Sequence, residues 1–113
     1  MIIAILHNYQ QNDGDLLATI KRTLGKMVVI DYSEIEKGPS IGEGGYGEVF
    51  KGKWLGQDVA IKEFGRKKVR NREKLDADFL REVEMVSKLR HPNIILFMGV
   101  SINSQGKGLL LTE

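Results

Sequence analysis

Six residues between positions 42 and 62 have the types and spacing that phosphate chemistry asks for: Gly42, Gly44, Gly47, Val49, Ala60 and Lys62. The glycines fall in "IGEGGYGEVFKGKW", residues 41–54, where five glycines interrupt a strand-like alternation. Glycine in a strand costs backbone entropy and removes side chains that could pack. Either something approaches this backbone closely or the backbone bends sharply. In a dinucleotide-binding fold the glycines would open a helix whose N-terminus holds a pyrophosphate. Gly47 is instead followed by "EVFKGKW", which alternates like a strand, so no helix opens there. Two readings remain: a bare glycine-rich turn, or a hairpin whose backbone N–H groups cover a triphosphate.

The following residues favour the triphosphate. "VAIK" at 59–62 arrives one hairpin later. On a strand Ala60 and Lys62 share a face, opposite Val59 and Ile61. A small apolar side chain and an ammonium then enter the cleft the glycines line. That suits an adenine stacked on Val49 and Ala60, with its phosphates reaching Lys62. A lysine so placed needs a carboxylate to hold it, and Glu73, Glu82 and Glu84 are the candidates. Glu82 lies between Phe79 and Val83 on the apolar side of a helical pattern, whereas Glu84 is about 200° further round and points elsewhere. Glu82 is therefore the expected partner; the plain alternative is a solvated helix glutamate.

These residues need elements to position them. "SIGEG" and "EVFKGKW" read as two strands joined through the glycines, "LGQD" at 55–58 as a tight turn, and "VAIKEF" at 59–64 as a third strand. "RKKVRNREK" at 66–74 is strongly basic and reads as a solvated loop, with a nuclear-import or anionic-surface role as the alternative. "DADFLREVEMVSKLRHP" at 76–92 predicts a helix, with Phe79, Leu80, Val83, Val86 and Leu89 as its apolar stripe and Asp76 or Asp78 in its first turn. "NIILFMGVSI" and "GLLLTE" predict two more strands around the loop "NSQGK". Upstream, Leu16, Leu17, Ile20 and Leu24 share one helical face, capped by Asp13 or Asp15 and stopped by Gly25. Residues 27–36 read as extended, and "KGP" at 37–39 as a break. The expected fold is α+β: a five-stranded antiparallel sheet with one major helix. The expected division is a helical extension, 1–26, and a sheet-and-helix unit, 27–113.

Composition narrows the function classes. The chain has 113 residues, 42% hydrophobic and 28% charged, which suits one small globular domain. A net charge of +2 gives no reason to invoke nucleic acid, and the absence of cysteine excludes disulfides and thiolate metal sites. The apolar run before His7 is too short to span a bilayer, and no secretory signal is evident, so a cytoplasmic location is expected.

"GEGGYGEV", "VAIK", "FLREVEMVSKLRHPNI" and "LLLTE" together resemble, in order and spacing, the N-terminal lobe of protein kinases over residues 31–113. "KGKW", "RHPNIILFMG" and "LLLTE" look most like the tyrosine-kinase-like group, which includes Raf-like and plant Raf-related kinases that typically phosphorylate Ser or Thr. The resemblance implies ATP, with Mg²⁺, as cofactor and a protein as substrate. It implies a phosphate loop of Ile41, Gly42, Gly44, Gly45 and Gly47 with Tyr46 at its tip. It implies Val49 and Ala60 against adenine, and Lys62 on the α and β phosphates and paired with Glu82. It also implies Thr112 at the back of the pocket and Glu113 as the first hinge residue, its carbonyl facing the adenine amino group. Val86 and Phe97 match the N-lobe members of the regulatory spine; as plain residues both are core.

The family's catalytic Asp and Mg²⁺-binding Asn and Asp have no counterpart in these 113 residues, and no metal-binding residue is assigned here. The chain is expected to be an inactive piece of an active parent kinase. The alternative is a pseudokinase or an oligomerising interaction module. Raf-like kinases pair side to side through an Arg and a Trp whose positions Arg90 and Trp54 match; as plain residues Arg90 is a helix-end charge and Trp54 a packed aromatic. A homo-oligomer is expected, through that face or through the Leu16–Leu24 stripe.

Overall fold

A computed structural model of the chain describes residues 9–11, 15–44, 47–65, 72–87 and 96–113. Five strands form one antiparallel sheet: β1 (Ile35–Gly44), β2 (Gly47–Trp54), β3 (Gln57–Phe64), β4 (Phe97–Ile102) and β5 (Gly108–Thr112). Their spatial order is β1-β2-β3-β5-β4. Helix α1 (Leu16–Leu24) precedes the sheet, and helix α2 (Arg72–Ser87) lies between β3 and β4 in the chain. This is the α+β arrangement that the alternation predicts.

Two apolar layers sandwich the sheet. Phe64, Val100 and Leu110 on one face meet Phe79, Leu80 and Val83 of α2, together with Leu16 and Ile20 of α1. Val59, Ile61, Leu109 and Leu111 fill the other face, under Ile30, Tyr32 and Ile35. The period of two in β3 and β5 thus divides each strand between two cores.

Helix α1 starts and stops as its sequence directs. Asp15 caps it, its Oδ1 accepting from the Ala18 N–H at 3.0 Å, and Gly25 ends it, its N–H donating to the Lys21 carbonyl at 3.0 Å. The segment after it departs from the expected extended chain. Two short 3-10 turns, Lys26–Val28 and Tyr32–Glu34, flank a single extended crossing. The second turn is capped by Asp31, which accepts from the Ser33 N–H and hydroxyl; both bonds hold its carboxyl below the usual value.

At that crossing Val29 bridges Val100 in parallel, and the Ile30 N–H donates to the Val100 carbonyl at 2.7 Å. The free edge of β4 is thereby covered, which removes a template for unwanted strand pairing. Gly99 makes the approach possible: a Cβ there would lie 2.7 Å from both the Val28 carbonyl oxygen and the Ile30 side chain.

"KGP" does not break the chain as expected. β1 runs through Gly38 and Pro39, with register irregularities between Lys37 and Ser40 and between Ser40 and Gly42. β1 is the sheet's edge, the place where a residue without an N–H is tolerated, especially at an irregularity. Helix α2 also begins earlier than its capping residues suggest, at Arg72, so the end of the basic run is helical and Asp76 sits in the second turn. The rest of that run, 66–71, lies outside the described residues, as do 88–95, where the helix end and the start of the fourth strand are expected.

The β2–β3 hairpin turns on Leu55 and Gly56, both at positive φ (50° and 80°). That is the two-residue turn whose twist matches the strands, and its first position favours Asn, Asp or Gly. Leu55 is exposed and gains nothing there from packing. Leu55→Asn should raise the unfolding free energy in urea by roughly 1 kcal/mol, by relieving part of the left-handed strain. Gly99→Val should lower it by about 1–3 kcal/mol, because the added side chain must displace residues 28–30.

Candidate functional site

In an antiparallel sheet, residues directly opposite each other share a face. Gly42 pairs with Val49, Val49 with Lys62, and Lys62 with Leu110. In the adjoining row Lys51 pairs with Ala60, Ala60 with Thr112, and Thr112 with Phe97. The sheet therefore lays Gly42, Val49, Ala60, Lys62 and Thr112 on one surface, the surface that also carries α2. Gly42 stands two strands from Lys62, about 10 Å at ordinary strand spacing.

Lys62 reaches from this surface to α2. Its Nζ donates to Glu82 Oε1 at 2.9 Å and Oε2 at 3.0 Å, so one ammonium holds both carboxylate oxygens. Each side chain remains about a quarter exposed (29% and 27%), open to solvent or ligand on one side. The Lys62 Nζ also lies 5.3 Å from the centroid of the Phe64 ring, whose edge-to-face contact with Phe79 (5.2 Å between centroids) seats the helix on the sheet. The strand period and the helix period thus converge on one charge pair. Glu84 does not share it. Glu84 is buried on another side of α2, one turn beyond Leu80.

The glycines divide by what constrains them. Gly47 is fixed by the fold: its φ is 153°, and a Cβ there would lie on the Glu63 carbonyl oxygen of β3. Gly42 has neither constraint. Its backbone is not left-handed, and a Cβ there would meet nothing within 4 Å. Ile41 beside it is exposed. Gly44 closes the strand opposite Gly47, and Gly45 and Tyr46 lie outside the described residues. Thr112 is half-buried at the end of β5, and the N–H of exposed Glu113 donates to the Leu96 carbonyl at 2.9 Å. Val86 and Phe97 are partly buried against the core between α2 and the sheet. Trp54 is packed against the opposite core, and Arg90 lies outside the described residues.

Sequence reasoning missed two residues near this site. Leu110 is next to Lys62 in the same row and is buried. Asp76 is buried at 5% exposure, its carboxylate accepting from the Tyr9 hydroxyl at 2.6 Å. Its place three and four residues before Phe79 and Leu80, at the head of the apolar stripe, was the available signal.

Residues 35–113 match the sequence model of the protein tyrosine and serine/threonine kinase family. The chain belongs to the protein kinase family, and this sheet with its helix is the N-terminal lobe of a kinase domain. It is 50% identical over 70 residues to "Probable serine/threonine-protein kinase drkD" of Dictyostelium discoideum, covering 62% of this chain and 5% of that protein. It is 48% identical over 68 residues to "Probable serine/threonine-protein kinase SIS8" of Arabidopsis thaliana, covering 60% and 6%. It is 46% identical over 70 residues to "Dual specificity protein kinase splA" of Dictyostelium discoideum, covering 62% and 3%. The chain thus spans only a small part of these relatives' length. Among the described residues, no helix is long and apolar enough to cross a membrane.

The Lys62 and Glu82 side chains should be energetically coupled. A double-mutant cycle of Lys62→Ala and Glu82→Ala in urea unfolding should give a coupling of about 1 kcal/mol, between the values of exposed and buried pairs, that shrinks as salt is raised. Additive effects of the two substitutions would mean the pair is not formed.

Proposed function

We propose that this chain is the ATP-binding part of a serine/threonine protein kinase that transfers the γ-phosphoryl group of ATP to protein hydroxyls. Gly42 carries the proposal. Among the described residues neither backbone conformation nor packing calls for glycine there, yet the position shares a surface with Val49, Ala60 and Lys62. A backbone bare of side chains beside an ammonium is what close approach of a phosphate requires. In this reading the hairpin of Ile41, Gly42, Gly44, Gly45, Tyr46 and Gly47 covers the phosphates. Val49 and Ala60 flank the adenine, and Thr112 and Glu113 bound its far side.

Lys62 neutralises charge on the α and β phosphates, and Glu82 restrains the ammonium so that less side-chain freedom is lost when the nucleotide arrives. ATP supplies the transferable phosphoryl group and Mg²⁺ the charge neutralisation. Among the described residues no group of three or more acidic or histidine side chains is placed to hold a metal ion. The serine/threonine preference rests on the names of two relatives, drkD and SIS8. Assignment to the tyrosine-kinase-like, Raf-like group rests on the resemblance of "KGKW", "RHPNIILFMG" and "LLLTE". A cytoplasmic signalling role and a homo-oligomer complete the proposal. Leu16 and Ile20 are buried within their own chain, so the α1 stripe is taken up within the chain, and the dimer contact proposed from the resemblance, through Trp54 and Arg90, is the one retained.

The 113-residue chain should bind ATP weakly, with a dissociation constant of about 0.1–1 mM, and should transfer no labelled phosphate. Lys62→Ala should abolish the binding. Gly42→Val should weaken it roughly tenfold, by placing a side chain where the phosphate backbone contact forms, without lowering the urea midpoint. A Gly42→Val chain that bound ATP as well as the parent sequence would overturn the assignment of the hairpin.

A further inference from the structure

Helix α2 carries Glu82, so whatever fixes α2 fixes the reach of Glu82 to Lys62. Its sheet-facing side is held by apolar contacts: the Phe79 ring packs on Phe64 and over Gly108, where a Cβ would come within 2.7 Å of the ring. Apolar burial is non-directional. It seats the helix on the sheet, and a directional bond adds a point that narrows its rotation further. A hydrogen bond between buried groups is directional, and α2 takes part in one that reaches far along the chain: the Tyr9 hydroxyl donates to Asp76 Oδ2 at 2.6 Å, 67 positions away in sequence. Both residues are buried, and the short distance suits a hydroxyl bound to a charged carboxylate. Asp76 lies about 9 Å along the helix from Glu82, so a small pivot at Asp76 moves the Glu82 carboxylate out of hydrogen-bonding range.

Tyr9 precedes the kinase-matched residues 35–113, and the described residues between them are anchored at several points. Leu16 and Ile20 enter the same core as Leu80 and Val83, and Ile30 bonds to β4. We propose that Tyr9 and Asp76 are positioning residues: Tyr9, backed by the anchored residues 15–30, acts as a strap that sets the rotation of α2 and thereby keeps Glu82 on Lys62. The functional meaning of this device rests on the reading of Lys62 as a phosphate ligand.

The test uses the full chain with Tyr9→Phe, which removes only the hydroxyl, and Asp76→Asn, which keeps an acceptor but not the charge. Hydrogen–deuterium exchange in α2 should rise roughly tenfold in Tyr9→Phe, the loss expected for a buried bond to a charged group. Exchange in β2 and β3 should not change, and Asp76→Asn should give a smaller rise. The Lys62–Glu82 coupling, measured by unfolding cycles, should shrink several-fold in the Tyr9→Phe background. ATP affinity should fall several-fold in Tyr9→Phe but show no further fall when Glu82→Gln is already present. Unchanged exchange in α2, an equal rise in every element, or an undiminished Lys62–Glu82 coupling would overturn the strap. A chain that bound no ATP would instead sink the nucleotide reading, and the coupling and exchange measurements would still decide the positioning role.

Discussion

The Lys62 ammonium and the Glu82 carboxylate meet across the gap between a strand and a helix, 20 positions apart in sequence and 2.9 Å apart in space. Neither can move without cost. Separating them would leave two half-buried charges without their ion-pair partner, and removing a partner of such a pair is more costly than the pair's own net contribution. The contact therefore fixes two registers at once. β3 must present its even-numbered side chains to α2, and α2 must turn Glu82 rather than Glu84 toward the sheet. Phe64 and Phe79 satisfy the same two registers with apolar surface, so charge and packing enforce one geometry.

The opposite face of the sheet is held by a different kind of contact. Glu63, next to Lys62, points the other way, accepting from the Asn103 amide at 2.7 Å and lying 3.4 Å from Lys37 Nζ. Lys37 in turn stands 4.3 Å over the Phe50 ring. Asn103 also accepts from the backbone N–H groups of Gln105 and Lys107, which shapes the β4–β5 loop. One carboxylate thus ties edge strand β1 to the far hairpin across β3. Successive residues of one strand, Lys62 and Glu63, serve the candidate site and the scaffold separately because the pleat sends them to opposite sides.

The described residues before position 35 belong to the same packing. They supply side chains to both cores, cover the exposed edge of β4, and lay a hydroxyl against the helix that carries Glu82. A small sheet-and-one-helix unit buries a modest fraction of its surface, and the added residues extend that burial.

Local chemistry sufficed for much of this protein. The alternation of β2 and β3, the apolar stripe of α2, the Asp15 cap and the Gly25 stop were all legible in the sequence, because each depends on neighbours within a turn or two. The choice of Glu82 over Glu84 was legible too, since helical angles are fixed by spacing. Other features required the tertiary structure. β1 passes through Gly38 and Pro39 because it is an edge strand, and no residue reports its own place in a sheet. Residues 29–30 cross the edge of β4 between two 3-10 turns because β4 offers a free edge and Gly99 lets them approach it. That Gly47 is demanded by a strand-to-strand contact while Gly42 is not is invisible in "GEGGYG", where both are glycines in one motif. Asp76 looked like a helix-start residue, and only the arrival of Tyr9 from the far end of the chain makes it a buried acceptor. Sequence spacing sets which side chains share a face; which face meets which is decided by contacts between residues that the chain holds far apart.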